Sequence, residues 1–144
     1  MFSTRPGSHK GAAAFGQLYR NVSLETGLVD ATPHRLVAML FEGLCEAIVH
    51  AMSAMERNDP AEKGLAIGRA VRIIDEGLRP GLNLTEGGAL AQDLRDLYAY
   101  MTLRLTQANL RNDSDALGEC LRLVGTLREA WAAIAPAAAL RPDA

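Results

Sequence analysis

Aromatic residues are scarce in this chain of 144 residues: three Phe, three Tyr and one Trp. Val and Ile together number only 11. Strands rely on β-branched and aromatic side chains to pack across a pleated surface, so the shortage argues against a sandwich or barrel. Cysteine is nearly missing, and Cys45 and Cys120 alone build no disulfide framework. An excess of either charge is lacking too. The 15 basic and 17 acidic residues give a formal net charge of −2, with Lys and Arg scattered along the length. That excludes the electrostatic footprint of a nucleic-acid binder. No apolar run approaches the ~18 residues of a membrane span. Gly, Ser and basic residues interrupt the amino terminus before a signal-peptide pattern develops. What the chain has instead is 24 Ala and 21 Leu, residues at the top of the helix-propensity scale. The length suits one domain, and the composition predicts a soluble, cytoplasmic, all-α protein.

Four periodic segments follow an amino-terminal arm, residues 1–30, that has no sustained periodicity. Within the arm, Phe15, Leu18, Tyr19 and Val22 form a short apolar patch able to become an amphipathic helix on a suitable surface. Thr32-Pro33 opens the first helix, an N-cap followed by proline where an amide would be orphaned anyway. Leu36, Leu40, Leu44, Ile48, Met52 and Met55 stack along one face of it. Asn58-Asp59-Pro60 stops that helix and caps the next, with Glu62 in a capping-box position. The second helix aligns Ile67, Val71, Ile74 and Leu78, and Pro80 breaks or kinks it near Leu78. A Gly-rich connection reaches Gly88. The third helix carries Leu90, Leu94, Leu97, Met101, Leu105 and Ala108 as its stripe. Arg111-Asn112-Asp113 supplies the next stop and cap. A fourth helix with Leu117, Leu121, Val124, Trp131 and Ile134 ends at Pro136. The expected architecture is an antiparallel up-down four-helix bundle over residues 31–136, with a frayed tail at 137–144.

Chemistry has little to stand on. Di-metal bundles need paired Glu-x-x-His motifs, and none is present; nor is a Cys-x-x-Cys, a His-Glu-x-x-His or a phosphate loop. Glu46 and His50, four apart, and His34 near the first helix's start read as polar-face residues with ordinary i,i+4 contacts. No cofactor, metal or catalytic group is expected. A second apolar strip runs along three helices: Ala66, Ala70, Ile73 and Gly77; Ala99, Leu103 and Leu110; Leu123, Leu127 and Ala130. A wide core stripe explains it as well as an external groove for a partner helix does. Gly64 and Gly68, each costing roughly 1 kcal/mol inside a helix, suit a close backbone neighbour.

The ordered motifs resemble the FliS family of flagellar export chaperones from Tyr19 to Pro136. They are Tyr19-x-x-Val22, Ala31-Thr32-Pro33-His34-x-Leu36 with Met39 to Gly43, Lys63-Gly64, Ile73-Ile74-Asp75-x-Gly77-Leu78, Gly87-Gly88-x-Leu90-Ala91, Leu97-Tyr98-x-Tyr100-Met101, Arg104-Leu105 with Ala108-Asn109-Leu110-x-Asn112-Asp113, and Glu129-Ala130-Trp131. The resemblance implies a cytoplasmic protein that binds the carboxy-terminal segment of flagellin, which turns helical as it wraps around the bundle. It implies that binding prevents premature polymerisation and aids delivery to the type III export gate. Export-gate components and flagellar regulators are expected as further partners, nucleic acid and membrane are not, and the expected state is a monomer or weak homodimer. On this basis Ile73, Leu103, Asn109, Leu110, Leu123 and Leu127 are expected to meet the client, with Tyr19 and Val22 covering part of the site in the free protein. Pro80, Gly81, Ala99 and Gly16 depart from the family pattern. The rival expectation is a structural helical module that self-associates through its second strips.

Overall fold

A computed structural model of the chain describes residues 32–83 and 87–134. Among these residues there are four α-helices: α1 (Pro33–Glu56), α2 (Pro60–Arg72), α3 (Gly88–Arg111) and α4 (Ser114–Ala133). Each packs on its two neighbours around a ring, α1 on α2 and α4, α3 on α2 and α4. This is the predicted all-α four-helix bundle.

The starts follow the caps read from sequence. Thr32 Oγ1 accepts from the Arg35 amide at 3.1 Å, Asp59 Oδ1 from Glu62 at 3.1 Å, and Asp113 Oδ1 from Ala116 at 3.2 Å. Two of the links are the same device used twice. Asn58 and Asn112 take left-handed backbone at φ 56° and 51°, a conformation Asn tolerates better than most residues. The amide of the following Asp then reaches back to a carbonyl five residues earlier: Asp59 to Ala54 at 2.9 Å, Asp113 to Ala108 at 3.2 Å. Each Asn-Asp pair therefore closes one helix with a Schellman turn and opens the next with a cap. The capping box forms only by half. The Asp59 amide is committed to Ala54, and the Glu62 carboxylate turns to His50 Nε2 at 3.1 Å. His50 is thus paired across helices and not with Glu46.

At its far end α2 leaves α-helical bonding well before Pro80. Ile73–Leu78 is a π-helical turn and Arg79–Gly81 a 3-10 turn. Proline has no amide and collides with the carbonyl four residues back. The wider turn, closed by the Arg79 amide on the Ile74 carbonyl, carries the chain past that clash.

Leu44, Ile48, Ile74, Met101, Leu105, Leu117 and Val124 are fully buried at the centre, with Cys120 beside them. Both cysteines are buried free thiols, and burial pushes the Cys120 thiol up to about 11. By length and composition α1 is apolar enough to cross a bilayer, although Glu42 and Glu46 interrupt its apolar run. Its apolar face is the side of the bundle core, with Leu36 to Ala54 supplying nine buried residues.

The second strip divides. On α2 and the π turn that follows it, Ala66, Ala70 and Gly77 are buried, so there the strip is simply the wide face of a packed helix. Gly64 and Gly68 have no atom outside their own helix within 4 Å of where a Cβ would sit; no neighbouring helix of the bundle approaches them. On α3, Ala99, Leu103 and Leu110 do lie outside the core.

Candidate functional site

Two stripe residues that should be core are not covered. Leu90 is 69% exposed and Ile134 49%. Both keep the inward phase of their helices, but they lie at the end of the bundle where α1 and α3 begin and α2 and α4 finish. Nothing among the described residues closes that end. The result is an apolar cleft of about 330 Å³, within the ~300–1,000 Å³ of ordinary ligand pockets. Val37 and Phe41 enter it from α1, Leu90, Leu94 and Tyr98 from α3, and Leu127, Ala130, Trp131 and Ile134 from α4 and its end. Leu78, Gly81 and Leu82 complete it; the π and 3-10 turns are what bring them there.

Its aromatic wall is tightly held. Trp131 Nε1 donates to the His34 carbonyl at 2.9 Å, and His34 Nε2 lies 3.0 Å from the Trp131 carbonyl. The two rings stack with centroids 4.7 Å apart and planes 11° from parallel. Phe41 meets the indole edge-on at 6.5 Å, a favoured aromatic geometry. On the opposite wall Tyr98 is 3% exposed, and desolvation raises its phenol to about 12.

Polar chemistry is sparse. Among the described residues no group of three His, Cys, Asp or Glu could hold a metal ion. The largest polar cluster ties α3 to α4 away from the cleft: Tyr100 Oη and Arg104 Nε each donate to the Glu119 carboxylate at 2.7 Å. It joins the two helices.

Of the residues expected to meet a partner, only Leu127 lines the cleft. Leu123 and Ile73 are half-buried against the core, and Ile73 Cδ1 lies 3.5 Å from where a Gly43 Cβ would be. Leu103 and Leu110, 54% and 77% exposed, sit on the outer face of α3. Asn109 is half-buried near the end of α3, and its carbonyl accepts from Lys63 Nζ at 3.0 Å. Tyr19 and Val22 lie outside the described residues. Sequence reasoning missed Phe41, Leu78, Leu90, Tyr98 and Trp131 as site residues because all but Phe41 and Tyr98 read as core stripe. The available signal was Pro80 and Gly81, which end the helical run that follows α2 at that end of the bundle.

The fold is a four-helix bundle with an apolar cleft at one end, and among the described residues no cluster of His, Cys, Asp or Glu could hold a metal ion. Comparison with known proteins identifies the kind. A family model described as flagellar protein FliS matches residues 15–138. A flagellar secretion chaperone FliS from Salmonella typhimurium is 44% identical, over 85% of this chain and 91% of its own. FliSB of Pseudomonas aeruginosa, also a flagellar secretion chaperone, is 43% identical over 78% and 89%. The Bacillus subtilis FliS is 35% identical over 70% and 74%. The chain belongs to the FliS family of flagellar secretion chaperones. It is accordingly a cytoplasmic chaperone and not an enzyme.

Proposed function

We propose that this chaperone holds the carboxy-terminal segment of flagellin as helix, keeps it from polymerising, and helps deliver it to the flagellar type III export apparatus. The observation that carries the reading is a cleft that no described residue covers: inward-facing Leu90 and Ile134 left exposed beside Phe41 and Trp131. A monomeric domain gains by burying such residues, and leaving them open suits a surface that a partner helix covers. The outer row Leu103 and Leu110 offers a second strip for the same wrapped client. A segment that orders on binding loses conformational entropy, so two separated apolar contacts offset that cost better than one. Tyr19 and Val22, upstream of the Val37 and Phe41 wall, are the residues we assign to cover part of the client site when it is empty. Release needs no nucleotide, since competition at the export gate removes a client held by apolar contact.

The test is titration of the full chain with a peptide of the flagellin carboxy-terminal segment, followed by circular dichroism and Trp131 fluorescence. Helix gained beyond the sum of the parts, at 1:1 stoichiometry, supports the proposal. Absence of binding at micromolar peptide, with self-association by sedimentation instead, replaces it with a structural module.

A further inference from the structure

We infer that His34 is a positioning residue for the cleft: it fixes the Trp131 indole as a wall without itself touching what the cleft holds. The inference rests on the reading that the cleft receives a client side chain.

His34 lies in the first turn of α1 and Trp131 in the last turn of α4, so the pair joins the beginning of the described bundle to its end. A carbonyl oxygen only accepts, so the short contact to Trp131 O requires the proton on His34 Nε2. The indole N–H returns a bond to the His34 carbonyl. An indole is placed by two side-chain torsions, and a bond at Nε1 together with a ring stacked on its face restrains both. Trp131 and Phe41 line the cleft, whereas His34 does not. Its effect on a bound side chain therefore runs through Trp131. A wall held in one rotamer before binding lowers the ordering cost on association.

Trp131 is the chain's sole tryptophan, so its fluorescence reports the wall directly. We would compare the full chain with His34→Ala, His34→Phe, which keeps a stacked ring without the donor, and His34→Gln, which keeps a donor without the ring. The readouts are Trp131 emission, acrylamide quenching, cooperative melting and the Kd of the flagellin carboxy-terminal peptide. His34→Ala should move emission to the red, increase quenching and weaken the peptide about tenfold while the bundle still melts cooperatively. His34→Phe and His34→Gln should recover affinity in the order in which they restore emission. Should His34→Ala not fold, these two variants carry the comparison. Unchanged emission and Kd across all folded variants would overturn the inference, as would affinity that falls without tracking emission. Trp131→Ala separates the two levels. Wild-type affinity in that variant overturns the cleft reading and the inference with it. Lost affinity there, beside wild-type affinity in His34→Ala, overturns the positioning role alone.

Discussion

Lys63 and Asn112, 49 residues apart, meet at 2.5 Å between Nζ and Oδ1. The same ammonium donates to the Asn109 carbonyl at 3.0 Å. Lys63 is 7% exposed, and it sits where the last carbonyls of α3 lack helical partners. A cation there satisfies orphan acceptors and complements the negative end of the helix dipole. It also steadies Asn112, whose left-handed backbone turns the chain into α4. Lys63→Met keeps much of the stem and removes the donors. It should cost about 1–3 kcal/mol in urea unfolding, with a similar loss in Asn112→Ala. A double variant far less destabilised than the two singles summed is expected, because both remove one interaction.

The glycines of α2 and of the loop before α3 should respond in opposite directions. Gly64 and Gly68 have open space at the Cβ position, whereas a Cβ on Gly87 would lie 2.6 Å from that of Ala91 and 2.7 Å from the Asn83 carbonyl. Gly64→Ala and Gly68→Ala should each stabilise the free protein by about 0.5–1 kcal/mol. Gly87→Ala should destabilise it. Thermal melting decides. Destabilisation by either α2 alanine would show that a neighbour does approach there in solution.

Those glycines also mark what the sequence made legible. Helix starts and stops were readable because Thr32, Asp59 and Asp113 solve a local problem, the orphan amides of a first turn, with local atoms. Stripe phase was readable for the same reason, since it follows from 3.6-residue geometry alone. Coverage was not. Leu90 and Leu105 share one stripe, yet one is 69% exposed and the other fully buried, because among the described residues only the middle of the bundle has four walls. Likewise Ala66 and Leu103 both stood on second strips, and the identity of the neighbouring helix decided which was buried. His34 looked like an ordinary polar-face residue. Its stacking and hydrogen-bonding partner is 97 residues away, beyond any periodicity argument.

Acid should dissolve the Tyr100–Glu119–Arg104 cluster. The hydrogen bond from Tyr100, then that from Arg104, holds the Glu119 carboxyl below its usual 4.5. A folded-state value below the unfolded one contributes stability that is fully present above 4.5 and is lost as pH falls through the folded value. The stability difference between wild type and Glu119→Gln should therefore be constant near neutrality and shrink below about pH 4.5. Tyr100 runs the other way: the same bond raises it above 10, so its share persists below that pH and disappears above it. Denaturant midpoints across the pH range test both signs; a difference that grows on acidification would falsify the assignment.

Charge placed on each apolar surface should separate client binding from folding. Leu103, Leu110 and Leu90 are 54%, 77% and 69% exposed, so an aspartate at any of them keeps its hydration, and the fold should change by no more than about 0.5 kcal/mol. Leu117, fully buried, is the contrast, since Leu117→Asp leaves a carboxylate in the core and should prevent folding. With the bundle intact, Leu90→Asp and Leu103→Asp should each weaken the flagellin carboxy-terminal peptide, because the proposed wrapped segment would touch both the cleft and the outer face of α3. Their effects should be nearly additive, as the two surfaces share no contact. A client that used the cleft alone would lose affinity in Leu90→Asp and keep it in Leu103→Asp and Leu110→Asp. That outcome would remove the outer row from the site, and with it the gain from a second contact that offsets ordering of the segment.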